Sequence, residues 1–252
     1  VWDLDGAEEL AVAVPPWAQP TTVRRGVHPE AGEVVLVDCP QIRRPDPYVG
    51  PDGRDWPDND LRFASFSAAV AGLARSLGAD VVQLNDWHTA LVPAFLGPAV
   101  PTVLTIHNLA FQGIFPADTL IPLGLPPEAY AMDGIEYWGK LSFMKAGLHY
   151  ADRITTVSPR YAEEIQTEAF GYGFAGLLRW RRADLAGILN GIDTAVWDPA
   201  TDVHLPRRFE FAHLKGKEIN KAALRQRFGL SADASTPLLG AVCRITHQKG
   251  LD

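Results

Sequence analysis

Three polar segments come directly after short apolar runs, where their side chains could hydrogen-bond to a bound ligand. These segments are Asn85-Asp86-Trp87-His88 after residues 80–84, His107 after residues 102–106, and Asn190 after residues 186–189. Histidine can donate or accept a hydrogen bond and can carry charge near neutral pH, while carboxylate and amide groups orient polar ligands. The residue types and their positions therefore predict a polar site assembled from strand ends.

Two cations follow a further apolar run at residues 238–243. Arg244 comes directly after this run, and Lys249 comes five residues later. Arginine binds oxygen atoms as a planar fork and lysine acts as a point charge, so the two together could hold a diphosphate. Two unrelated surface cations are the alternative, and the spacing by itself does not separate the two interpretations.

Structural roles are the alternative for the other polar residues as well. His107 could simply be bonded within a turn, and Asp86 could cap a helix that begins with a core Trp87. Two histidines and an aspartate could suggest a metal site. However, no His-x-His or His-Glu-x-x-His spacing occurs, so we expect no metal.

Three short motifs are better explained without a ligand. Residues 171–176 match Gly-x-Gly-x-x-Gly, but the segment before them, at residues 161–166, is helical in pattern. A dinucleotide site needs a strand there, so we predict a loop and a helix start. The Asp-x-Asp matches at residues 3–5 and 58–60 follow no convincing strand. The basic cluster at residues 179–182 is expected to be a solvated helix end.

The segments that must position these side chains alternate between strand and helix patterns. Steps of three and four between apolar residues predict an amphipathic helix from Phe63 to Leu77, which ends at Gly78. Such alternation predicts an α/β fold with a parallel sheet and flanking helices, in which ligands bind beyond the carboxyl ends of the strands. Strands are predicted at residues 33–38, 80–84, 102–106, 153–157, 186–189 and 238–243.

Two further helices and a long loop complete the predicted elements. Ile135, Trp138, Leu141, Met144 and Leu148 have helical spacing. Ser158-Pro159 combines a favourable N-cap with proline at the first helical position. Residues 40–57 are rich in Pro, Asp and Gly, and a loop of this length in a compact domain is often functional.

Composition excludes several classes of function. The 252 residues are 47% hydrophobic and 21% charged, which is typical of a globular protein with a buried core. A net charge of −7 disfavours nucleic acid and anionic membranes as main partners. Cys39 and Cys243 lie far apart, so a disulfide scaffold is not expected and a reducing cytosol is the default. No apolar stretch is long enough for a transmembrane helix.

Taken together, the ordered motifs of the chain resemble those of bacterial glycogen synthase and plant starch synthase. These are retaining glucosyltransferases with two Rossmann-like domains, the GT-B type. The resemblance spans nearly the whole chain. Its segments are Pro47-Tyr48, residues 55–59, Asn85-Asp86-Trp87-His88, residues 105–113, 140–147 and 151–159, Leu189-Asn190-Gly191-Ile192-Asp193, and residues 244–252 from Arg244 through Lys249.

This resemblance implies a reaction and a role for each site residue. The family transfers glucose from ADP-glucose to the non-reducing end of an α-1,4-glucan with retention of configuration, and it needs no metal or other cofactor. His107, Asn190, Arg244 and Lys249 would then bind the donor, with His107, Arg244 and Lys249 acting in catalysis. Tyr48, Asp86 and Trp87 would lie on the acceptor side. No nucleic acid or membrane partner is implied.

The chain also departs from the family pattern. The Lys-x-Gly-Gly-Leu segment expected near the N-terminus and most of the second Rossmann domain are absent, so we expect a fragment of a longer protein that is inactive alone. We predict an acceptor-side Rossmann-like domain at residues 1–234, without its first strand. Residues 235–252 would then be a linker followed by the first strand and phosphate loop of a truncated nucleotide domain. Asn85 stands where many relatives have His.

Two other functions remain open from the sequence alone. One is a different GT-B enzyme that uses another nucleotide sugar, because donor specificity lies mainly in the missing half. The other is a non-catalytic glucan-binding module, although the intact His107, Asn190, Arg244 and Lys249 favour catalysis. The expected location is the cytoplasm, or a plastid if the source is a plant or alga.

Overall fold

The computed structural model describes residues 4–47, 49–243, 245 and 249–250. The chain divides into two compact units, residues 1–190 and residues 191–252. This division by compactness falls earlier than the domain boundary that we predict after Ala234, and that boundary stays a prediction. The helices and strands of the first unit are β1 (Asp5–Leu10), β2 (Thr22–His28), β3 (Gly32–Asp38), α1 (Asn59–Leu77), β4 (Val82–Asn85), α2 (Val92–Leu96), β5 (Thr102–Ile106), β6 (Ile114–Pro116), β7 (Glu136–Tyr137), β8 (Lys140–Ser142), α3 (Phe143–Tyr150), β9 (Arg153–Thr156), α4 (Pro159–Glu164), α5 (Ala175–Trp180) and β10 (Leu185–Gly187); the second unit contains α6 (Gly216–Arg227).

A four-stranded parallel sheet forms the centre of the first unit. Its strand order is β10-β9-β5-β4, and every neighbouring pair is parallel. Alternate side chains from β4, β5 and β9, such as Leu84, Leu104 and Ile154, are fully buried. They pack with α-helical residues such as Met144 and Leu148 into one core. The predicted parallel α/β fold with flanking helices is therefore confirmed.

The predicted helix from Phe63 to Leu77 is confirmed as α1, which begins four residues earlier, at Asn59. It ends at Gly78, whose φ of 60° and ψ of 45° are left-handed. Glycine adopts this conformation without the steric cost that a side chain would add, which explains the stop at this residue. The predicted Ser158 cap is also confirmed, because its Oγ accepts a hydrogen bond of 2.9 Å from the Tyr161 amide.

The predicted helix through Ile135, Trp138 and Leu141 is wrong over its first half. Residues 136–142 form an antiparallel hairpin of β7 and β8, and the helix starts only at Phe143. Trp138 and Gly139 both have positive φ, 52° and 78°, which is the conformation of a tight two-residue turn. This turn overrides the helical spacing and leaves Trp138 83% exposed.

The predicted strand at residues 238–243 is also wrong, since no strand forms there. Leu239 and Val242 are fully exposed. An extended segment becomes a strand only when a neighbour completes its backbone hydrogen bonds, and no described strand pairs with this one. By contrast, residues 33–38 do form a strand, β3, in an antiparallel sheet of order β1-β2-β3.

Side chains of the second unit hold its own segments together. Asn220 in α6 accepts a hydrogen bond of 2.9 Å from the backbone nitrogen of Arg207 and donates one of 2.8 Å to the Arg207 carbonyl.

Over the part of the chain that the structure describes, no helix is both long and apolar enough to cross a membrane.

Candidate functional site

The carboxyl edge of the parallel sheet brings several predicted site residues to one side of the first unit. Asn85 ends β4, with Asp86 next to it, and His107 directly follows β5. β9 separates β5 from β10, and Asn190 lies exposed three residues after β10 ends. Gly187, the last residue of β10, lies against the backbone of Ser158 and Pro159 so closely that a Cβ would clash.

Asp86 occupies the N-cap position of the short helical turn that follows it, as the structural interpretation expects, but its side chain makes no capping hydrogen bond. Its carboxylate Oδ1 instead accepts hydrogen bonds from the backbone nitrogens of His107, at 2.8 Å, and Asn108, at 3.3 Å. Asp86 has a φ of 55°, an uncommon value for a residue with a side chain. The carboxylate thus connects the end of β4 to the loop after β5.

The loop after β5 is held through four successive backbone amides. Asp86 accepts from the first two, and the hydroxyl oxygen of Tyr161 accepts from the Leu109 nitrogen at 3.2 Å. The Asn108 side chain accepts from the Ala110 nitrogen at 3.1 Å. Burial raises the pKa of Tyr161, and the Leu109 amide partly opposes that shift. This network gives the exposed His107 a defined backbone position.

Asn85 contacts the ring of the same histidine. The distance from its Oδ1 to Nε2 of His107 is 2.9 Å, and both residues are exposed. The first unit therefore presents an exposed imidazole, with one ring nitrogen occupied, at the edge of the sheet where ligands of α/β folds bind.

Trp87 is half-buried, and its indole ring packs into an aromatic cluster. Ring centroids lie 4.7 Å away for Phe63 and 4.2 Å away for His88. A Cβ built on Gly113 would lie 2.8 Å from Cδ2 of Trp87 and closer still to Cε3, so the loop approaches the ring as closely as glycine permits. The interpretation of Trp87 as a core residue is supported, and its contact with an acceptor stays a prediction.

Burial changes the charge behaviour of His88, which lies in the same cluster. It lowers the pKa of His88 below its ordinary value of 6.5, while the nearby Asp86 carboxylate partly opposes that shift. A neutral ring therefore persists further into acid in the folded chain than in the unfolded chain.

The loop at residues 40–57 is held by a buried arginine that sequence analysis did not single out. Arg62 in α1 is 2% exposed and donates to the carbonyls of Gln41 at 3.0 Å and Pro47 at 3.2 Å. Burial lowers the pKa of Arg62, yet guanidinium groups stay protonated in proteins. Its position in an apolar helix between Leu61 and Phe63 was the only available signal.

Three further predicted site residues are not placed at this edge of the sheet. Tyr48 and Arg244 are outside the described residues. Lys249 is described and exposed, and it belongs to the second unit. Their predicted roles stay predictions.

The other motifs have structural explanations. Residues 171–176 form the predicted loop and helix start, with α5 beginning at Ala175. The basic cluster is not simply a solvated helix end, because Arg181 is 8% exposed. It donates to the carbonyls of Leu148, His149, Ala151 and Asp152 at 2.7–3.3 Å and to the Asp184 carboxylate at 3.0 Å. It therefore binds the negative end of α3.

Across the described segments of the chain, no three His, Cys, Asp or Glu side chains come together in a group that could hold a metal ion. Asp58, within one of the Asp-x-Asp matches, forms an ion pair of 2.5 Å with Arg44. A metal-free site stays a prediction.

Comparison with known proteins identifies the family. A family model described as the starch synthase catalytic domain matches residues 1–180. The chain belongs to this family. The resemblance found in the sequence motifs is thereby confirmed.

Individual relatives of the family agree with this assignment. The chain is 52% identical over 244 residues to a glycogen synthase of Paramagnetospirillum magneticum, covering 92% of this chain and 49% of that protein. It is 50% identical over 239 residues to a glycogen synthase of Aromatoleum aromaticum, covering 90% and 48%. The chain thus spans about half the length of the curated relatives that it matches.

A solved structure supports the same fold. The catalytic domain of starch synthase IV from Arabidopsis thaliana, bound to ADP and acarbose, superposes with a TM-score of 0.72. It is 28% identical, and the match covers 91% of this chain and 50% of that chain. The family's GT-B fold is therefore the architecture to which this α/β unit belongs.

Proposed function

We propose that this chain is the acceptor-side part of a retaining glucosyltransferase that extends an α-1,4-glucan from ADP-glucose. The observation that carries the proposal is the exposed His107, which the Asp86 carboxylate holds at the carboxyl edge of the parallel sheet. Identities of about 50% to glycogen synthases support it. The ADP and acarbose bound by the starch synthase neighbour support a nucleotide sugar and a glucan as ligands.

In the proposed reaction, the bond between the anomeric carbon of glucose and the diphosphate oxygen breaks. A new bond forms from that carbon to the terminal hydroxyl of the glucan, which loses its proton, and ADP leaves. Positive charge develops on the sugar ring and negative charge on the diphosphate in the transition state. Hydrogen-bond donors and cations placed at these charges lower the barrier.

Each residue has a proposed part in this scheme. His107 and Asn190 hydrogen-bond the donor sugar, and Arg244 and Lys249 neutralise the departing diphosphate, so that no metal is required. On the acceptor side, Asp86 orients the loop that carries His107, and the aromatic residues Tyr48 and Trp87 provide apolar faces for glucose rings. The 252 residues alone bind maltooligosaccharide weakly and do not catalyse glucosyl transfer. A cytoplasmic location is part of the proposal, in keeping with the free Cys39 and Cys243.

The test is an elongation assay of the full-length protein with a maltooligosaccharide and either ADP-glucose or UDP-glucose. We expect chain extension with ADP-glucose. His107→Ala should lower kcat by orders of magnitude without changing the circular dichroism spectrum, whereas His204→Ala, a change at an exposed histidine in the second unit, should leave kcat unchanged. Absence of elongation with both donors would refute the proposal, and preference for UDP-glucose would refute the donor assignment.

Binding by the 252-residue chain supplies a second test. Maltooligosaccharide should perturb the chain's tryptophan fluorescence, and Trp87→Ala or Tyr48→Ala should weaken that binding. Equal affinity in both variants and the unchanged chain would remove these residues from the acceptor side.

A further inference from the structure

The hydrogen bond between Asn85 and His107 joins two residues whose backbones are separately anchored. Thr89 Oγ1 accepts from the Asn85 nitrogen at 2.8 Å and donates to the Asn85 carbonyl at 3.0 Å. Asp86 Oδ1 holds the His107 nitrogen. Consecutive residues at the end of β4 therefore contact one residue at two points, its backbone and its ring.

Anchoring of this kind makes a hydrogen bond between exposed groups more effective. Two flexible exposed side chains lose conformational entropy when they pair, and this loss cancels much of the free energy that the hydrogen bond contributes. Here the backbone on each side is already fixed by side-chain hydrogen bonds and by the parallel register that pairs Asn85 with Thr105. Only the side-chain torsions of Asn85 and His107 remain to be ordered.

The chemistry of the amide oxygen decides the proton position on the ring. A carbonyl oxygen can only accept, so the 2.9 Å contact between Asn85 Oδ1 and Nε2 of His107 is a hydrogen bond only when Nε2 carries the hydrogen. In a neutral imidazole the other nitrogen, Nδ1, then has its lone pair free. None of the described residues forms a hydrogen bond with Nδ1, so it is the nitrogen available to a ligand.

We propose that Asn85 is a positioning residue for His107: it fixes the ring orientation and the Nε2–H tautomer, and it leaves Nδ1 to accept a hydrogen bond from a ligand hydroxyl. Its importance for turnover rests on the proposed glucosyl transfer. The positioning itself does not, because it is a property of the first unit alone.

Nuclear magnetic resonance of the 15N-labelled 252-residue chain tests the positioning directly. At a pH where the ring is neutral, we expect the His107 ring to show a protonated Nε2 whose hydrogen exchanges slowly with water. Asn85→Leu, whose side chain has the same branching and number of heavy atoms but no acceptor, should make that exchange fast. Asn85→Asp, which retains an acceptor oxygen, should preserve it.

Gln83→Leu is the matched control, since Gln83 lies on the same strand but donates to Thr105 rather than to His107. It should leave the His107 resonances unchanged. A His107 ring protonated on Nδ1 in the unchanged chain would overturn the proposal, and so would a slow Nε2 hydrogen that persists in Asn85→Leu.

Kinetics of the full-length protein separate this inference from the proposed function. Asn85→Leu should lower kcat by about 10- to 100-fold with a smaller change in KM, because a misplaced catalytic group slows chemistry more than binding. Asn85→Asp should recover most of the rate. If no form of the protein elongates a glucan, the proposed function fails, while the magnetic resonance result still decides the role of Asn85.

Discussion

The Asp86 carboxylate lies 2.8 Å from the backbone nitrogen of His107, so a side chain at the end of one strand sets the loop after the next. Asp86→Ala leaves two amides without this acceptor and retains the positive φ of residue 86. We expect a loss of about 1–3 kcal/mol in the free energy of unfolding, measured in urea. Asp86→Asn should lose less, because its carbonyl still accepts and asparagine tolerates a positive φ.

Asp80→Ala is the control for this measurement, because Asp80 is exposed and accepts no hydrogen bond among those described. Asp80→Ala should change the free energy of unfolding by no more than about 0.5 kcal/mol. Equal losses in Asp80→Ala and Asp86→Ala would show that the carboxylate does not hold the loop.

Alanine substitutions at Gly113 and Gly139 distinguish the energetic cost of steric contact from that of backbone strain. Both have positive φ, 56° and 78°, but only a Cβ at Gly113 meets the Trp87 ring, while one at Gly139 meets nothing within 4 Å. Gly139→Ala should lower the free energy of unfolding by about 1 kcal/mol, because alanine is strained at a positive φ. Gly113→Ala should cost more and should shift tryptophan emission. Equal unfolding midpoints for the two variants would refute the close packing of Gly113 against Trp87.

Arg181→Met should destabilise the first unit strongly. The change removes a buried cation from four backbone carbonyls and the Asp184 carboxylate, and we expect a loss of about 2–4 kcal/mol. The neighbouring Arg182 is exposed, so Arg182→Met should have almost no effect in the same urea titration. The assignment fails if the two variants unfold together.

Acid should weaken the fold through two half-buried histidines. Burial lowers the pKa of His88 and of His149 below the ordinary value of 6.5. The unfolded chain therefore takes up protons first, and stability falls as the pH drops below about 6.5. Between about pH 7.5 and 5.5 the ordinary carboxylates stay ionised, so the decline in that window reports mainly on histidine.

His88→Gln should reduce that decline, measured as the change in unfolding free energy across the window. His149→Gln should reduce it separately, and the exposed control His204→Gln should leave it as in the unchanged chain. A decline of full size in His88→Gln would mean that burial of this ring does not control its protonation.

Local sequence signals predicted much of the fold. The 3- and 4-residue steps before Gly78 predicted α1, and Ser158-Pro159 predicted the start of α4. Both of these helix features depend on interactions between residues a few positions apart in the sequence. The helix through Trp138 was wrong because a two-residue turn outweighed apolar spacing, and the strand at residues 238–243 was wrong because a strand needs a pairing partner.

For the site, the sequence by itself determined which residue types follow the strands, and with them the family. Tertiary structure alone decided how they act on one another. Asp86 and His107 are 21 residues apart, and so close an approach follows from the parallel pairing of β4 with β5. The same applies to Arg62 and Arg181, whose burial depends on carbonyls 15 to 33 residues away. Hydrogen bonds of this kind require a distance and an angle, and residue order along the chain specifies neither.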